Sequence, residues 1–255
     1  MNQPDIERTR EVVTLFQTPQ EQRDEAWRAA YFAAIPDAAL AAGDPQLIQG
    51  PDGFPYAVLR TPERDESFSG YSVSTVLDQV TESGVGLVIN PREGAPDWVF
   101  SYGDLLELRL LGELRSHEPG SGHTEAPVIG GERVMVGEPG ETYLPMYARR
   151  VLAGYLKKSG IAEPAALLMY RPSEGGNTLV FPFTPEQFGS GAGLRRMLAS
   201  ISWFLPRNYL VMAMAPEGLH FIPLYPEAPP AAPEPAAKEP EKEEAPRRPW
   251  YRRLF

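Results

Sequence analysis

Two stretches of this chain can be laid over one another without a gap: LVINPREGAPDWVFSY at 87–102 over LMYRPSEGGNTLVFPF at 168–183. Leu87 meets Leu168, Pro91 meets Pro172, Glu93 and Gly94 meet Glu174 and Gly175, and Val99 and Phe100 meet Val180 and Phe181. Upstream, VLDQVTESGV (76–85) parallels VLAGYLKKSGI (151–161) with one insertion, and YAVLRTP (56–62) parallels RVMVGEP (133–139). Agreement of residues and element order constrains a fold strongly, because each repeat is one supersecondary unit. Each unit reads strand, helix, strand, Pro-x-Glu-Gly turn, strand, helix. Shared turn chemistry is the alternative explanation, since hairpin turns of any origin favour Pro and Gly.

Periodicity fills in the remaining elements. DIERTREVVTLF and a second segment from Gln20 to Ala34 read as helices, the latter with Ala26, Trp27, Ala30, Tyr31 and Ala34 on one face. YAVLR (56–60), GLVIN (86–90), DWVFSY (97–102), RVMVG (133–137), AALLMYR (165–171), TLVFPF (178–183), YLVMAM (209–214) and LHFIPLY (219–225) read as strands. Helices are expected at 69–80, 103–111, 144–158 and 194–205. In the run SWFLPRNYLV (202–211), Pro206 stops the last helix, and its aromatics suit the core.

The pattern predicts an α+β fold of two tandem related modules with mainly antiparallel sheets. The second module, β-α-β-β-α-β plus one strand, has the ferredoxin-like order. Helices on one face would leave an open sheet face for interactions. The expected organisation is N-terminal helices at 1–49 packed on the first module, a first module at 50–115, a loop at 116–131 and a second module at 132–225. A disordered linker at 226–249 and a terminal peptide at 250–255 complete it.

GVGLVINP (84–91) poses the question of a phosphate loop. Such a loop needs a strand, then glycines, then a helix whose N-terminus meets the phosphate. Here the glycines precede the strand, so Gly84 reads as a helix C-cap and the stretch as scaffold.

No G-x-S-x-G, H-E-x-x-H or P-loop motif occurs, and the chain contains no cysteine, which removes thiolate metal sites and cysteine nucleophiles. His117 and His123, with Glu118 and Glu125, are metal-ligand types, but a Gly- and Pro-rich segment gives them no rigid frame. They stay weak metal candidates, His220 reads as the outer face of a strand, and no catalytic constellation or cofactor is expected.

The net charge is −10, and the terminal stretch from Pro226 holds equal numbers of acids and bases, so the whole excess lies before it. An acidic body repels phosphates, which argues against nucleic-acid binding. The first residues lack the basic and apolar regions of a secretory signal, and no stretch is apolar enough for a membrane span; a cytoplasmic protein is expected.

Residues 226–249 are mostly Pro, Ala, Glu and Lys, a composition that cannot bury enough surface to fold. The chain then closes on RRPWYRRLF. Large aromatics beside arginine are what interface hot spots use. Trp250, Tyr251, Arg252, Arg253, Leu254 and Phe255 are therefore the candidate partner-binding residues, on a tether that raises effective concentration. A groove on another protein, an anionic membrane surface or the acidic body itself would each suit them.

GVGLVINP (84–91), the GDLLEL helix (103–108) and VMVGEPGETYLP (134–145) give the chain a resemblance to the bacterial SseB family, named for enhanced serine sensitivity, over about residues 50–225. The resemblance implies tandem α/β modules, an intracellular location and no assigned catalytic activity. The resulting expectation is a non-catalytic protein-binding or adaptor protein with a tethered docking peptide. The alternative is a small-molecule-binding regulator with its ligand between the two modules.

Overall fold

The computed structural model describes residues 3–92, 95–116, 134–172 and 176–226. All the elements below belong to one compact unit, Met1–Tyr225. Helices α1 (Ile6–Phe16) and α2 (Glu25–Ala34) each start on an aspartate cap: Asp5 accepts from the Glu7 N–H, and Asp24 from the Trp27 N–H. The N-terminal region at 1–49, expected to hold helices, then departs from that reading. It contains a strand, β1 (Ala41–Gln49), antiparallel to β2 (Pro55–Arg60). Gly43-Asp44-Pro45 inside β1 looks like a turn, and the ladder does shift register between Ala42 and Leu47. Proline has no N–H to give a ladder, so such a strand belongs at a sheet edge, where β1 lies.

From β2 the chain crosses through α3 (Val73–Ser83) to β3 (Gly86–Ile89), which pairs with β2 in parallel. Gly84 caps α3 at φ 73°, the left-handed conformation read from its position in the sequence. Strand β4 (Trp98–Phe100) returns antiparallel to β3 and ends the first sheet, ordered β1-β2-β3-β4. Helix α4 (Tyr102–Leu111) starts on a reciprocal cap between Ser101 and Asp104. The second sheet comprises β5 (Met135–Gly137), β6 (Ala165–Arg171), β7 (Gly176–Phe181) and β8 (Leu210–Ala213), in that order. Helix α5 (Met146–Lys158) precedes β6, and α6 (Gly191–Trp203) joins β7 to β8. A short β9 (Ile222–Pro223) pairs with β6 off this path.

The fold is mixed helix and strand with two mostly antiparallel sheets, as expected. The ferredoxin-like order is corrected: a split β-α-β would place another strand between two joined by a helix, whereas β7 and β8 pair directly and in parallel. The two hairpins also differ in detail. Leu87 pairs with Phe100, but Leu168 pairs with Leu179 rather than Phe181. A two-residue difference leaves every side chain on its own face, so the apolar pattern does not reveal it. The preceding strands diverge further, β2 being parallel to β3 while β5 is antiparallel to β6. The turn residues Glu93, Gly94, Glu174 and Gly175 lie outside the described residues. LHFIPLY contributes only the two paired residues of β9, and His220 is exposed in the loop before it rather than on a strand.

Neither sheet keeps the open face that was expected. Leu59, Leu87, Ile89 and Phe100 of the first sheet bury one face against α1 to α4, through Val12, Tyr31, Val73, Val80 and Leu105. Its other face carries Tyr56, Val58 and Val88, packed by Phe54 and by Trp203 of α6. In the second sheet Ala166, Leu179 and Phe181 face α5 and α6, while Leu167, Met169 and Val180 meet Met214, Leu219 and Phe221. Helix α4 serves both cores, Leu105 and Leu108 in the first and Tyr102 and Leu106 in the second. That double duty explains why YGDLLELRLL is apolar nearly all round rather than on one stripe.

Candidate functional site

With the central strands of each sheet covered on both faces, the site is built at an edge. Among the described residues strand β4 pairs only with β3, and beyond its other edge lies a cleft of about 570 Å³. Helix α2 and the turn before it supply Arg23, Trp27, Arg28 and Phe32; the edge strand supplies Trp98, Val99 and Phe100. Asp104 and Glu107 of α4, Leu114, Arg115 and Ser116 after it, and Arg207 before β8 close the other side.

An aromatic cluster sets the floor. The Trp27 ring stacks on Tyr31 at 5.1 Å, and Trp98 lies 5.8 Å from Trp27, 4.9 Å from Tyr31 and edge-on to Phe32 at 5.6 Å. Trp27 is fixed further by its indole N–H, which donates to the Leu15 carbonyl at 2.9 Å. The Tyr31 hydroxyl is fully buried and has no hydrogen-bond partner among the described residues. Burial first, and then the Asp97 carboxylate, push its pKa well above the ordinary phenol range, with Arg23 acting in the opposite sense.

The charges at the rim fall into two groups. The Asp104 carboxylate accepts from Arg207 Nε and Nη2 at 2.7 and 3.0 Å, which raises the Arg207 pKa. Asp97 Oδ2 accepts from Asn90 Nδ2 and Arg92 Nη2, both at 2.8 Å. Asn90, in the left-handed region at φ 50°, also accepts from the Thr61 N–H at 2.8 Å, so the corner after β3 is cross-braced. Glu107 is buried and engaged. All three carboxylates of the cleft are thus occupied.

Arg23 and Arg28 are held differently. Arg23 donates to the backbone carbonyls of Thr18 and Asp97, and its guanidinium lies 4.7 Å from the Trp27 ring. Arg28 donates to Ser116 Oγ at 3.0 Å. Both are half-buried, and among the described residues neither forms an ion pair with a carboxylate. They are positive charge facing a cleft on an otherwise acidic body.

Most residues singled out in the sequence lie elsewhere. His117 and His123 fall outside the described residues, as do Trp250, Tyr251, Arg252, Arg253, Leu254 and Phe255. Among the described residues no three His, Cys, Asp or Glu side chains gather as a metal site, and no helix is long and apolar enough to cross a membrane. Trp203 is a core and interface residue: its ring stacks on Phe54 at 4.1 Å and its N–H donates to the Tyr56 hydroxyl at 2.8 Å. No sequence motif marked the cleft. The one available signal was Trp98-Val99-Phe100, a strand that is aromatic on both sides of an exposed valine.

No family model matches the chain, and no curated protein or solved structure matches it either.

Proposed function

We propose that this chain is a non-catalytic protein-binding protein of the bacterial cytoplasm, an SseB-like adaptor whose body takes up one partner and whose terminal peptide at 250–255 engages another. The observation that carries the reading is the edge of β4, unpaired among the described residues, opening into a cleft with an aromatic floor and two guanidiniums that no described carboxylate neutralises. Unpaired strand edges are ready sites for chain–chain pairing, and Trp, Tyr and Arg are the residue types that dominate binding energy. The composition of RRPWYRRLF supports a second contact, on a tether that raises its effective concentration. Pull-downs compare the full chain with one ending at Pro246. A protein captured only by the full chain supports the tail as a docking peptide, and identical capture by both removes that part of the reading.

A small-molecule regulator is the second reading. The cleft volume falls within the range of small-ligand sites, and its rim joins Asp104 of α4 to Arg207 beside the second sheet. Binding to the folded state alone raises the melting temperature. A thermal-shift screen of anionic metabolites therefore separates this reading from the adaptor.

A further inference from the structure

We propose that β4 takes up an extended, acidic segment of a partner protein as an additional strand, with Arg23 and Arg28 meeting the carboxylates of that segment. This inference rests on the protein-binding reading and names the chemistry of the partner at the same site.

Three observations converge. Strand β4 ends its sheet, so among the described residues one side of its backbone has no strand partner. Peptides add to such edges through main-chain hydrogen bonds, with alternate side chains falling into flanking pockets. Here Trp98 and Phe100 contact the core clusters while Val99 between them is exposed, an alternation that an added strand continues.

The charges select the partner. The body carries a net −10, yet four arginines line this cleft against three carboxylates that are already engaged. Arg23 is immobilised by two backbone carbonyls and the Trp27 face, so little side-chain entropy is lost when an anion arrives. Arg28, in the first turns of α2, contributes a second cation to the cleft lining. Glutamates or aspartates at alternate positions of an extended peptide recur about every 7 Å along one face, so more than one carboxylate can enter the cleft. Arg23 and Arg28 repel a basic segment at this cleft, so RRPWYRRLF, wherever else on the acidic body it adheres, serves as a competitor control.

The test uses the full chain and a fluorescein-labelled, end-blocked hexapeptide of alternating valine and glutamate, followed by fluorescence anisotropy. The expected result is saturable binding that weakens with added salt, at least about tenfold weaker binding to Arg28→Glu at unchanged melting temperature, and no displacement of the labelled peptide by RRPWYRRLF. N-methylating the backbone nitrogens of alternate residues gives two further peptides, one per register. Strand addition predicts that one of them fails and the other binds, because only every second N–H faces the edge. Equal binding by both N-methylated peptides overturns the proposal in favour of charge adhesion, and displacement by citrate alone overturns it in favour of a small-anion site. Absence of binding by the parent peptide overturns it as well. If the full chain still captures a partner in pull-downs in that case, the protein-binding reading survives; if it captures none, both fall.

Discussion

Gly103→Ala sets two physical effects against each other, and the structure says which wins. Gly103 lies in the first turn of α4, where alanine is the better helix former by about 1 kcal/mol. On propensity alone the substitution should therefore stabilise the protein. A Cβ on Gly103, however, would lie 2.5 Å from the backbone carbonyl carbon of Leu205 and 3.0 Å from its nitrogen. Non-bonded carbons settle at about 3.5–4.0 Å, so the Leu205 backbone must retreat by about 1 Å. The obstacle is main chain, which cannot turn aside as a side chain can. The retreat would also disturb Arg207, two residues on, whose guanidinium holds Asp104 in the same turn of α4. Overpacking of this kind costs about 1–3 kcal/mol, and the rigidity of both partners favours the upper end. After subtraction of the helix gain, a net loss of about 2 kcal/mol remains. For a body of this size that corresponds to a fall in Tm of about 4–8 °C. Urea unfolding followed by far-ultraviolet circular dichroism, alongside a thermal scan, measures it. A neutral or stabilised Gly103→Ala would refute the close approach of α4 to the end of α6, and with it the packing of the two sheets through α4.

Three further outcomes follow from named contacts. Trp203→Ala removes the stack on Phe54 and the hydrogen bond to the Tyr56 hydroxyl, and should cost about 3 kcal/mol in urea unfolding. Arg109→Ala removes a guanidinium that donates to Thr81 Oγ1, pairs with Asp78 and Glu82 and lies 4.0 Å from the Tyr147 ring. Its acidic partners are mostly exposed, so the loss should be about 1–2 kcal/mol and should shrink in high salt. Glu66 is held at about 2 by its hydrogen bonds from Arg60, followed by the Glu63 backbone N–H, below its ordinary value of 4.5. A depressed folded pKa contributes stability above pH 4.5 that disappears as pH falls towards 2. Glu66→Gln should accordingly flatten the pH dependence of Tm across that window, and an unchanged profile would show that the Arg60 pair is not formed in solution.

The sequence made some of this legible and concealed the rest for identifiable reasons. AALLMYR was read as a strand with the boundaries it has, because a short apolar run is bounded by Pro164 and Pro172. Gly84 was read as a left-handed cap from its place between a helical period and a buried strand. Strand β1 was missed because its Gly-Asp-Pro interior has the local chemistry of a turn, and only pairing with β2 shows that the chain continues through it. Strand order was hidden for a similar reason: whether β2 or β5 runs parallel to the strand after its helix is decided by non-local pairing, which neighbouring residues do not encode. The cleft was the least visible feature. Arg23, Trp98 and Arg207 lie in three separate regions of the chain, and each carries an ordinary local reading as a helix-flanking charge, a strand residue or a turn cation. Only the fold brings them to one edge.

Hydrogen–deuterium exchange of the full chain, with and without the valine–glutamate peptide, tests the central claim most directly. The account predicts slower amide exchange across Trp98–Phe100 when the peptide is bound, with smaller changes around Arg23 and Arg28 and none at the β8 edge. Protection that is absent from β4, or that appears instead at β5 or β8, would contradict it.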